Sequence, residues 1–555
     1  MVGARGADAD GSSPDRDGAA GAVTADRVGG ADEAGPADHA GFGPDRRAST
    51  RDVWIGRALV TVAVLAVLAT VLAEGDGVSG LSLQTAWQLL DLRALGDNPV
   101  EATWYLHTQP PLHNLLIGLV AWSPLPLAGT LFVLYGLSLL VTGLALLALL
   151  VRWGVGPVGA GAVSAVALMH PSLAKTIHLV SYEVPMAMLV VGALWAVQRY
   201  LDDPRLRWLL LVSTTLTLGV LTRSLLHPLW LVAVLALVLV ARPVPPRHVA
   251  AAAAIPLVLV GGWIVKNEVL FDTATTSSWL GFNMQRGVTG PMARGDVEAA
   301  VDDGTVSPAA LRQPWELPDR YPETTQRCRA THDHATVAAT VKNPGQASEI
   351  ANFNYECYLP AYDQAQRDAL ALIRRSPRRY LSTRVPSLMM TYRQVDSGWE
   401  MKQYWLDAAY EPFLAEVRYT ADMRDWNLPI LPGRDSYPIE ASLTLMAFTL
   451  VIVARAGVAA VRLARRGRRA RDAWPAAEVV WIVAGWTVVV VLFGSSLVEF
   501  GENGRFRAAL DPLLIALPVA ALFQCLRGTL QHRVEGRLAA AHVDHQRVPH
   551  AEHGV

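Results

Sequence analysis

Residues 127–151 read LAGTLFVLYGLSLLVTGLALLALLV, a stretch of aliphatic, aromatic and small side chains without a charge. A helix needs about 20 apolar residues to cross the ~30 Å hydrocarbon core of a bilayer, so this stretch is long enough to span it. Further apolar runs lie at 58–73, 110–122, 155–173, 183–200, 207–222, 226–241, 249–266, 441–461, 475–497 and 508–526. The sequence therefore predicts an α-helical polytopic membrane protein with about ten transmembrane helices.

The composition supports a membrane location. Of the 555 residues, 52% are hydrophobic and 17% are charged, and the mean hydropathy is +0.27. These values are too apolar for an ordinary soluble enzyme. The one basic run, at 462–471, flanks an apolar segment, so the sequence gives no support to nucleic-acid binding.

The charges at the ends of the apolar runs predict the orientation of the chain. Arginines precede the first run and acidic residues follow it, and the basic run at 462–471 follows the run at 441–461. Because cytoplasmic loops carry an excess of Lys and Arg, we expect both termini in the cytoplasm and a multi-pass protein of the plasma membrane. Residues 1–54, poor in aliphatic and aromatic side chains, predict a disordered cytoplasmic tail, and 528–555 a polar one.

Between the tails, the sequence predicts three parts. Residues 55–266 form a membrane module whose outer loop, 74–109, has the spacing of an amphipathic helix in the membrane interface. The alternative for this loop is a plain connection anchored by a tryptophan. Residues 267–440 contain no spanning stretch and predict an extracytoplasmic domain. Residues 441–527 contain the C-terminal transmembrane helices.

The number of runs conflicts with this orientation unless one run does not cross. Eight apolar runs precede residue 267, which would leave the polar insertion in the cytoplasm, whereas counting back from the basic run at 462–471 places it outside. The short run at 110–122, which begins with Pro110 and Pro111, is the candidate for a non-crossing segment. A merged pair of runs elsewhere would restore the parity equally well.

Cysteine usage adds one covalent prediction. Cys328 and Cys357 both lie in the polar insertion, so a disulfide between them is expected if the insertion faces an oxidising compartment. The sequence has no CxxC or HExxH spacing, which makes a zinc site unlikely.

Two polar stretches lie at the mouths of apolar runs and are the first candidates for a functional site. They read WYLHTQPPLHN at 104–114 and EFGENGRFR at 499–507. Ionisable side chains are costly at a membrane unless they are used, so such clusters suggest function.

A family resemblance follows from the order of these motifs. An acidic first outer loop is followed by Pro110-Pro111-Leu112, then by His170-Pro171 and Glu183, and finally by GENGRFR at 501–507 with Pro-Leu-Leu at 512–514. This order resembles the GT-C membrane glycosyltransferases, nearest to protein O-mannosyltransferases and aminoarabinose transferases (family 39-like). A weaker likeness lies at 277–283. The resemblance implies transfer of a sugar from a polyprenyl-phosphate donor to a cell-envelope glycan, lipid or protein.

The resemblance also implies where the catalytic carboxylates lie. Family members place a catalytic Asp in the first outer loop, and Asp91 and then Asp76 are the preferred candidates here. Glu183 begins a helix on the outer face and corresponds to an acidic residue that borders the family's catalytic cavity. The alternatives are a solvated position for Asp91 and helix capping for Glu183. The family leaves a divalent metal ion open as a cofactor, and the sequence shows no ligand cluster that demands one.

Basic and amide side chains near the outer mouths are the candidates for substrate binding. Arg505 and Arg507 are suited to a lipid phosphate because guanidinium is planar and permanently charged, and Glu502 is close enough to orient one of them. Their alternative role is snorkelling or an internal ion pair. Further candidates for substrate contact are His107, Gln109, Lys175 and Arg223.

Two other classes of protein fit the composition. A transporter or lipid flippase would also carry charges among its helices, although the charges here gather at helix ends and no inverted repeat is evident. A non-catalytic membrane scaffold that displays the insertion is the third reading.

Overall fold

The computed structural model describes residues 49–75, 77–326, 328–395, 405–428, 433–466 and 474–546, with the backbone alone described at 75, 323 and 530–546. Asp76, one of the predicted catalytic residues, lies outside the described residues.

The helices before the insertion are α1 (Thr50–Gly75), α2 (Gly80–Thr85), α3 (Leu92–Asp97), α4 (Pro99–Trp104), α5 (Pro111–Trp122), α6 (Leu127–Arg152), α7 (Pro157–Leu168), α8 (Pro171–His178), α9 (Glu183–Asp202), α10 (Leu206–Thr222), α11 (Pro228–Ala241), α12 (Pro246–Pro256) and α13 (Gly262–Phe271). The insertion contains α14 (Leu280–Met284), α15 (Arg294–Asp302), α16 (Pro322–Thr325), α17 (Ala335–Ala338), α18 (Leu359–Arg375), α19 (Pro377–Ser382), α20 (Arg384–Thr391) and α21 (Trp405–Leu414). The chain continues with α22 (Leu443–Arg466), α23 (Ala476–Val488), α24 (Gly494–Val498), α25 (Asn503–Ala508) and α26 (Asp511–Gln546). Turns of π-helix lie at Leu257–Gly261, Gln285–Thr289 and Val489–Phe493, and turns of 3₁₀-helix at Pro308–Leu311, Pro318–Arg320 and Glu356–Tyr358.

Seven of the described helical stretches are long and apolar enough to cross a membrane, and α7 with α8, bent by 51°, makes an eighth if the pair is one span. Three shorter apolar helices accompany them, namely α5, α10 and α11. The protein is therefore a polytopic α-helical membrane protein. The seven long stretches are Thr50–Glu74, Leu127–Arg152, Glu183–Asp202, Pro246–Phe271, Leu443–Arg466, Ala476–Val498 and Asp511–Thr529.

The contacts between α1 and α6 show that they run in opposite directions. A Cβ atom on Gly136 would lie 2.8 Å from Leu68 Cδ1, and one on Gly143 would lie 2.6 Å from Val60 Cγ1. Residue numbers therefore rise along α6 as they fall along α1, so the end of α1 and the start of α6 share one side of the membrane. We call this the distal side, and the side at which α1 begins the proximal side. The chain from 75 to 127 starts and ends on the distal side, in agreement with the prediction that the run at 110–122 does not cross.

The bent pair of α7 and α8 runs the full length of α1 and crosses once. At its start, a Cβ atom on Gly161 would lie 2.5 Å from Gly56 Cα, and at its end His178 Nδ1 lies 2.7 Å from Gly77 O. The bend falls at His170, the N-cap residue of α8, where Pro171 occupies the first turn. Proline lacks the N–H that would continue the preceding helix, which accounts for the break.

The short helices α10 and α11 also connect the two sides. Arg223, after α10, pairs with Glu183 at the start of α9, with Nη1 and Oε1 2.9 Å apart. Arg242, after α11, donates from Nε to Leu201 O at the other end of α9, over 3.2 Å. Among the described residues ten segments therefore run from side to side, seven of them before the insertion, which places the insertion on the distal side.

The first outer loop, for which an amphipathic interfacial helix or a connecting loop was expected, contains three short helices. Asp91 accepts a hydrogen bond from the Arg93 N–H and starts α3, and Asn98 accepts one from the Glu101 N–H and starts α4. Pro99 follows Asn98 in the first turn of α4. These caps and the proline start new helices and so interrupt the longer amphipathic pattern.

The insertion, residues 272–442, packs around aromatic rings and carries two small antiparallel sheets. Strands β1 (Val341–Lys342) and β2 (Ile350–Ala351) pair Val341 with Ala351, and β3 (Glu416–Asp422) and β4 (Ser436–Ser442) pair Glu416 with Ser442. Cys328 and Cys357 form a disulfide with Cα atoms 5.6 Å apart. The buried cluster comprises Trp279, Phe282, Tyr321, Phe353, Tyr358, Ala361, Tyr362 and Ala365.

Candidate functional site

A cavity of about 360 Å³ lies on the distal side, between the first outer loop and the polar stretch that precedes α26. The loop supplies hydroxyl, amide and indole groups, and the end of α8 supplies His178 and Leu179. The polar stretch supplies one acidic and one basic side chain. The lining residues are Ser79, Leu81, Ser82, Thr85, Ala86, Trp87, Gln88, His178, Leu179, Glu502 and Arg505.

Local sequence features position these lining residues. Ser79 caps α2 by accepting a hydrogen bond from the Ser82 N–H, and its own N–H donates to His178 O over 2.9 Å. On the opposite wall, Gly501 has φ +114°, a backbone conformation that favours glycine, and lies two residues before the start of α25. Glu502 and Arg505 follow this glycine and line the cavity.

Behind the cavity lies a buried set of ionic groups, Glu183, Arg223 and Glu499, whose side chains are at most 4% exposed. Glu183 accepts from Arg223 over 2.9 Å and from the Ser181 hydroxyl. The Arg223 guanidinium is held between two rings, 4.2 Å from the centroid of Tyr182 and 4.0 Å from that of Phe506. Buried charges are stable only when they are paired, so Glu183, Arg223 and Glu499 hold fixed positions behind the more exposed ionic groups.

In front of this buried set are Arg286, Glu502 and Arg505, whose side chains are 20%, 29% and 18% exposed. Arg505 Nη1 donates to Glu502 Oε2 over 3.0 Å, and Arg505 Nε lies 3.6 Å from Glu183 Oε1. Arg286 donates to Glu499, and its Nη1 lies 3.9 Å from Glu502 Oε1. Glu502 therefore lies between two guanidinium groups. Glu502 and Arg505 line the cavity, Arg286 contacts Glu502 beside it, and we call these three residues the Glu502 triad.

The pKa shifts of these groups follow from burial and pairing. Burial opposes ionisation of Glu502, but Arg505 and Arg286 outweigh it, so the pKa of Glu502 is lowered. Burial also opposes the charge on Arg505, but Glu502 and Glu183 raise its pKa. At Glu499, burial and the nearby Glu502 charge outweigh Arg286, and the pKa rises to about 7. Burial and pairing therefore shift the pKa values of the two neighbouring carboxyl groups apart, with that of Glu499 raised and that of Glu502 lowered.

No family model matches the chain, and no curated protein matches it. Among solved structures, the chain is similar to ArnT from Cupriavidus metallidurans in the apo state, with 14% identity and a TM-score of 0.30 over 80% of this chain and 77% of that one. A likeness at this level does not establish what the chain does.

Four of the residues predicted from sequence, Glu183, Arg223, Glu502 and Arg505, thus come together at the cavity. Arg507 does not join them, since its side chain is fully buried and its Nε lies 3.1 Å from Asp511 Oδ1. Asp511 Oδ2 also lies 3.0 Å from His170 Nδ1.

The other predicted residues lie elsewhere on the distal side. Lys175 pairs with Asp407 of α21, with Nζ and Oδ1 2.9 Å apart. His107 is buried, with Nδ1 2.8 Å from Ser278 Oγ and Nε2 3.0 Å from Asn354 O. Gln109 is half-buried.

Asp91 binds backbone groups on both sides of its carboxylate. Oδ1 accepts from the Arg93 N–H over 2.8 Å, and Oδ2 accepts from the Asn343 N–H over 2.9 Å. The second bond joins the first outer loop to the hairpin of β1 and β2. The hairpin also contributes Lys342, whose Nζ donates to Ala86 O over 2.8 Å and to Leu89 O over 2.9 Å.

Arg286 and Glu499 have ionic roles at the cavity that sequence reasoning missed. Arg286 lies in a π-helical turn of the insertion, where no periodic pattern indicates which face it presents. Glu499 lies at the start of the polar stretch 499–507, and its position next to an apolar run is the sequence feature that could have indicated its role. Within the part of the chain that the structure describes, no three His, Cys, Asp or Glu side chains form a group that could hold a metal ion.

Proposed function

We propose that the protein is a GT-C membrane glycosyltransferase that transfers a sugar from a polyprenyl-phosphate donor to a glycan, lipid or protein of the cell envelope. The observation that carries the proposal is the pairing of Arg505 and Glu502 on the wall of a cavity at the ends of membrane-spanning helices. A lipid donor enters from the membrane, and its phosphate requires a fixed cation at that depth.

The orientation proposed with it places the distal side outside the cell. Arg462, Arg465 and Arg466 lie at the proximal end of α22, where the positive-inside rule expects cytoplasm. Both termini are then cytoplasmic, and the cavity and the disulfide of the insertion face the exterior of the plasma membrane, where disulfides persist.

The chemistry suits the groups around the cavity. As the bond between the anomeric carbon and the phosphate oxygen breaks, positive charge develops on the sugar and negative charge on the departing phosphate. Arg505 is placed to stabilise the phosphate, with Arg223 behind it, and a carboxylate removes the proton from the acceptor hydroxyl. Hydroxyl and amide groups of Ser82, Thr85 and Gln88 supply hydrogen bonds to a sugar in the cavity.

Three carboxylates are proposed for the base. Asp91 is the residue favoured by sequence, and both of its oxygens already accept backbone bonds. Glu183 lies behind the cavity and is paired with Arg223. Asp76 lies three positions before the cavity residue Ser79 in the sequence. A base must reach the acceptor hydroxyl directly or through one water, which the variants below test.

The test is sugar transfer from a panel of radiolabelled decaprenyl-phosphate sugars in membranes that carry the wild type or one variant. Arg505→Ala is expected to lower transfer roughly 100-fold, because an oriented charge that stabilises the transition state is lost. Asp76→Asn, Asp91→Asn and Glu183→Gln identify the base by the largest loss. Arg294→Ala and Glu298→Gln are the matched controls, because these residues form an exposed ion pair in the insertion.

The outcomes separate the function from its residue assignments. Loss of transfer in only one of the three carboxylate variants, with its unfolding temperature unchanged, assigns the base and keeps the enzyme class. Absence of transfer by the inserted wild type with every donor would reject the proposed function and favour a transporter.

A further inference from the structure

Glu502 has an unusual position among the carboxylates of the site. It is the most exposed member of the Glu502 triad, and it lies between Arg505, at 3.0 Å, and Arg286, at 3.9 Å. Glu183 and Glu499 are almost fully buried, and each binds a group behind the cavity wall. Of these three carboxylates, Glu502 alone therefore has space to move.

The charges around Glu502 leave one positive charge for it to balance. Arg223 and Arg505 share the single charge of Glu183, while Arg286 is paired with Glu499. With Glu183 and Glu499 both ionised, these groups would carry a formal charge of plus one in the absence of Glu502. An anion that enters the cavity and binds Arg505 competes with Glu502 for the same donors.

The backbone permits this exchange. Glu502 is the N-cap residue of α25, and its side chain makes no capping hydrogen bond to that helix. Gly501, immediately before it, has φ +114° and carries no side chain that would limit movement. Displacement of the Glu502 carboxylate toward the cavity would therefore break its two ionic contacts and leave the helix start intact.

We propose that Glu502 is an internal competitor that occupies the binding position of a lipid phosphate between Arg505 and Arg286, and that it must swing away before the phosphate binds. This proposal rests on the proposed function for the identity of the anion. It adds Arg286 as a second phosphate-binding residue and gives Glu502 a role opposite to that of a substrate-binding acid. Carboxylate and phosphate oxygens both form charge-assisted bonds to guanidinium, so one can replace the other.

The affinity for phosphate follows from this competition. If the position is free of Glu502 in about a tenth of the molecules, the apparent dissociation constant is about tenfold higher than the intrinsic one. Glu502→Gln removes the charge and keeps the size of the side chain, so it should tighten phosphate binding by about tenfold. An acid that helps to bind the substrate would give the opposite change.

The experiment measures binding without sugar transfer. Purified full-length protein in detergent is titrated with decaprenyl phosphate, with uncharged decaprenol as the matched lipid and inorganic phosphate as the free anion. The expected result is tighter binding of decaprenyl phosphate by Glu502→Gln, no change for decaprenol, and no change in Glu298→Gln. Tighter binding of inorganic phosphate to the same extent would assign the position to the anion alone, whereas an effect limited to the lipid would assign it to a membrane-embedded phosphate.

A second set of variants distinguishes a change in phosphate binding from the effects of misfolding. Glu502→Ala should show the same gain as Glu502→Gln, with an unfolding temperature reported for each. Adding Arg286→Ala to Glu502→Gln should weaken decaprenyl phosphate binding by about tenfold, whereas adding Arg294→Ala should not. Unchanged or weaker phosphate binding by both folded Glu502 variants would overturn the proposal. Tighter binding together with no sugar transfer by the wild type would keep this inference and reject the glycosyltransferase.

Discussion

Beside the cavity, charged side chains bind one another, whereas at the contact between the first outer loop and the insertion they bind the backbone. Arg505 contacts Glu502 and Glu183, and all three groups belong to side chains. Lys342 instead donates to the carbonyls of Ala86 and Leu89. Both regions bury polar groups on the distal side, but only the first can exchange partners without moving the chain.

The second region therefore fixes one wall of the cavity. Lys342 and Asn343 bind the segment 84–91, whose residues from Thr85 to Gln88 line the cavity. Burial lowers the pKa of Lys342 to about 7, although the neighbouring Asp91 charge acts in the opposite direction. Ionic groups bound to side chains are therefore the candidates for ligand exchange, whereas those bound to carbonyls hold the loop in place.

The largest effect is expected when one partner is removed from the buried ionic set. Arg223→Met keeps the length of the side chain but leaves Glu183 fully buried with Arg505 as its remaining cation, at 3.6 Å. Removing one partner of a buried pair costs about 3–5 kcal/mol, so the free energy of unfolding in detergent should fall by that amount. Chemical denaturation followed by tryptophan fluorescence measures it.

The control for this prediction is Arg424→Met, because Arg424 and Asp422 form an exposed pair that water and salt screen, so its loss should leave the free energy of unfolding nearly unchanged. The double variant Glu183→Gln, Arg223→Met should recover part of the loss. Equal stability of Arg223→Met and Arg424→Met would show that the buried pairing contributes little and would remove the contrast between the two regions.

A smaller effect is expected from loosening the hairpin that holds the loop. Asn343 has φ +52°, and its Nδ2 donates to Gln84 O over 2.9 Å and to Ser348 O over 3.1 Å. Asn343→Ala loses two hydrogen bonds and places alanine in a left-handed conformation, at a total cost of about 3 kcal/mol. A cysteine introduced at Thr85, in a Cys525→Ser background, should then react faster with a maleimide.

Asn343→Gly separates the two causes of this effect. Glycine tolerates the left-handed conformation but cannot form the amide bonds, so its labelling rate should fall between those of the wild type and Asn343→Ala. An unchanged labelling rate in Asn343→Ala would mean that the hairpin does not hold the cavity wall.

Much of the membrane topology could be predicted because hydropathy is a local property. The run at 207–222 corresponds to α10 (Leu206–Thr222), and the run at 183–200 to α9 (Glu183–Asp202). The amphipathic pattern of the first outer loop did not show that it divides into three short helices, although Asp91 and the Asn98-Pro99 pair are sequence signals for new helix starts. The directions of the helices needed contacts between residues distant in sequence.

The site could be predicted only in part, for a similar reason. Glu183 and Arg223 were expected on one face because they lie at the facing ends of neighbouring helices. Arg507 was grouped with Arg505, but two residues along a helix turn the side chain by about 200°, which points Arg507 into the protein. Arg286 comes from the insertion, 213 positions from Glu499, and no local pattern predicts such a contact.

The smallest effect is a pH dependence of stability in the region bound to the backbone. Burial, together with the Lys266 charge, lowers the pKa of His107 from 6.5 to about 3, so the folded protein keeps this imidazole neutral when the unfolded chain takes up a proton. The contribution of the neutral His107 to the free energy of unfolding is full above pH 6.5 and is lost as the pH falls from 6.5 toward 3. The free energy of unfolding should therefore fall by about 2 kcal/mol between pH 7 and pH 5. His107→Gln should lose this part of the pH dependence, measured as the difference in the free energy of unfolding between pH 5 and pH 8. Comparing the two pH values within each protein cancels the cost of the hydrogen bonds lost to Ser278 and Asn354. An identical pH dependence of the free energy of unfolding in the wild type and His107→Gln would show that His107 takes up protons in the folded state. The contact between His107 and the insertion would then be as exchangeable as the ionic groups at the cavity.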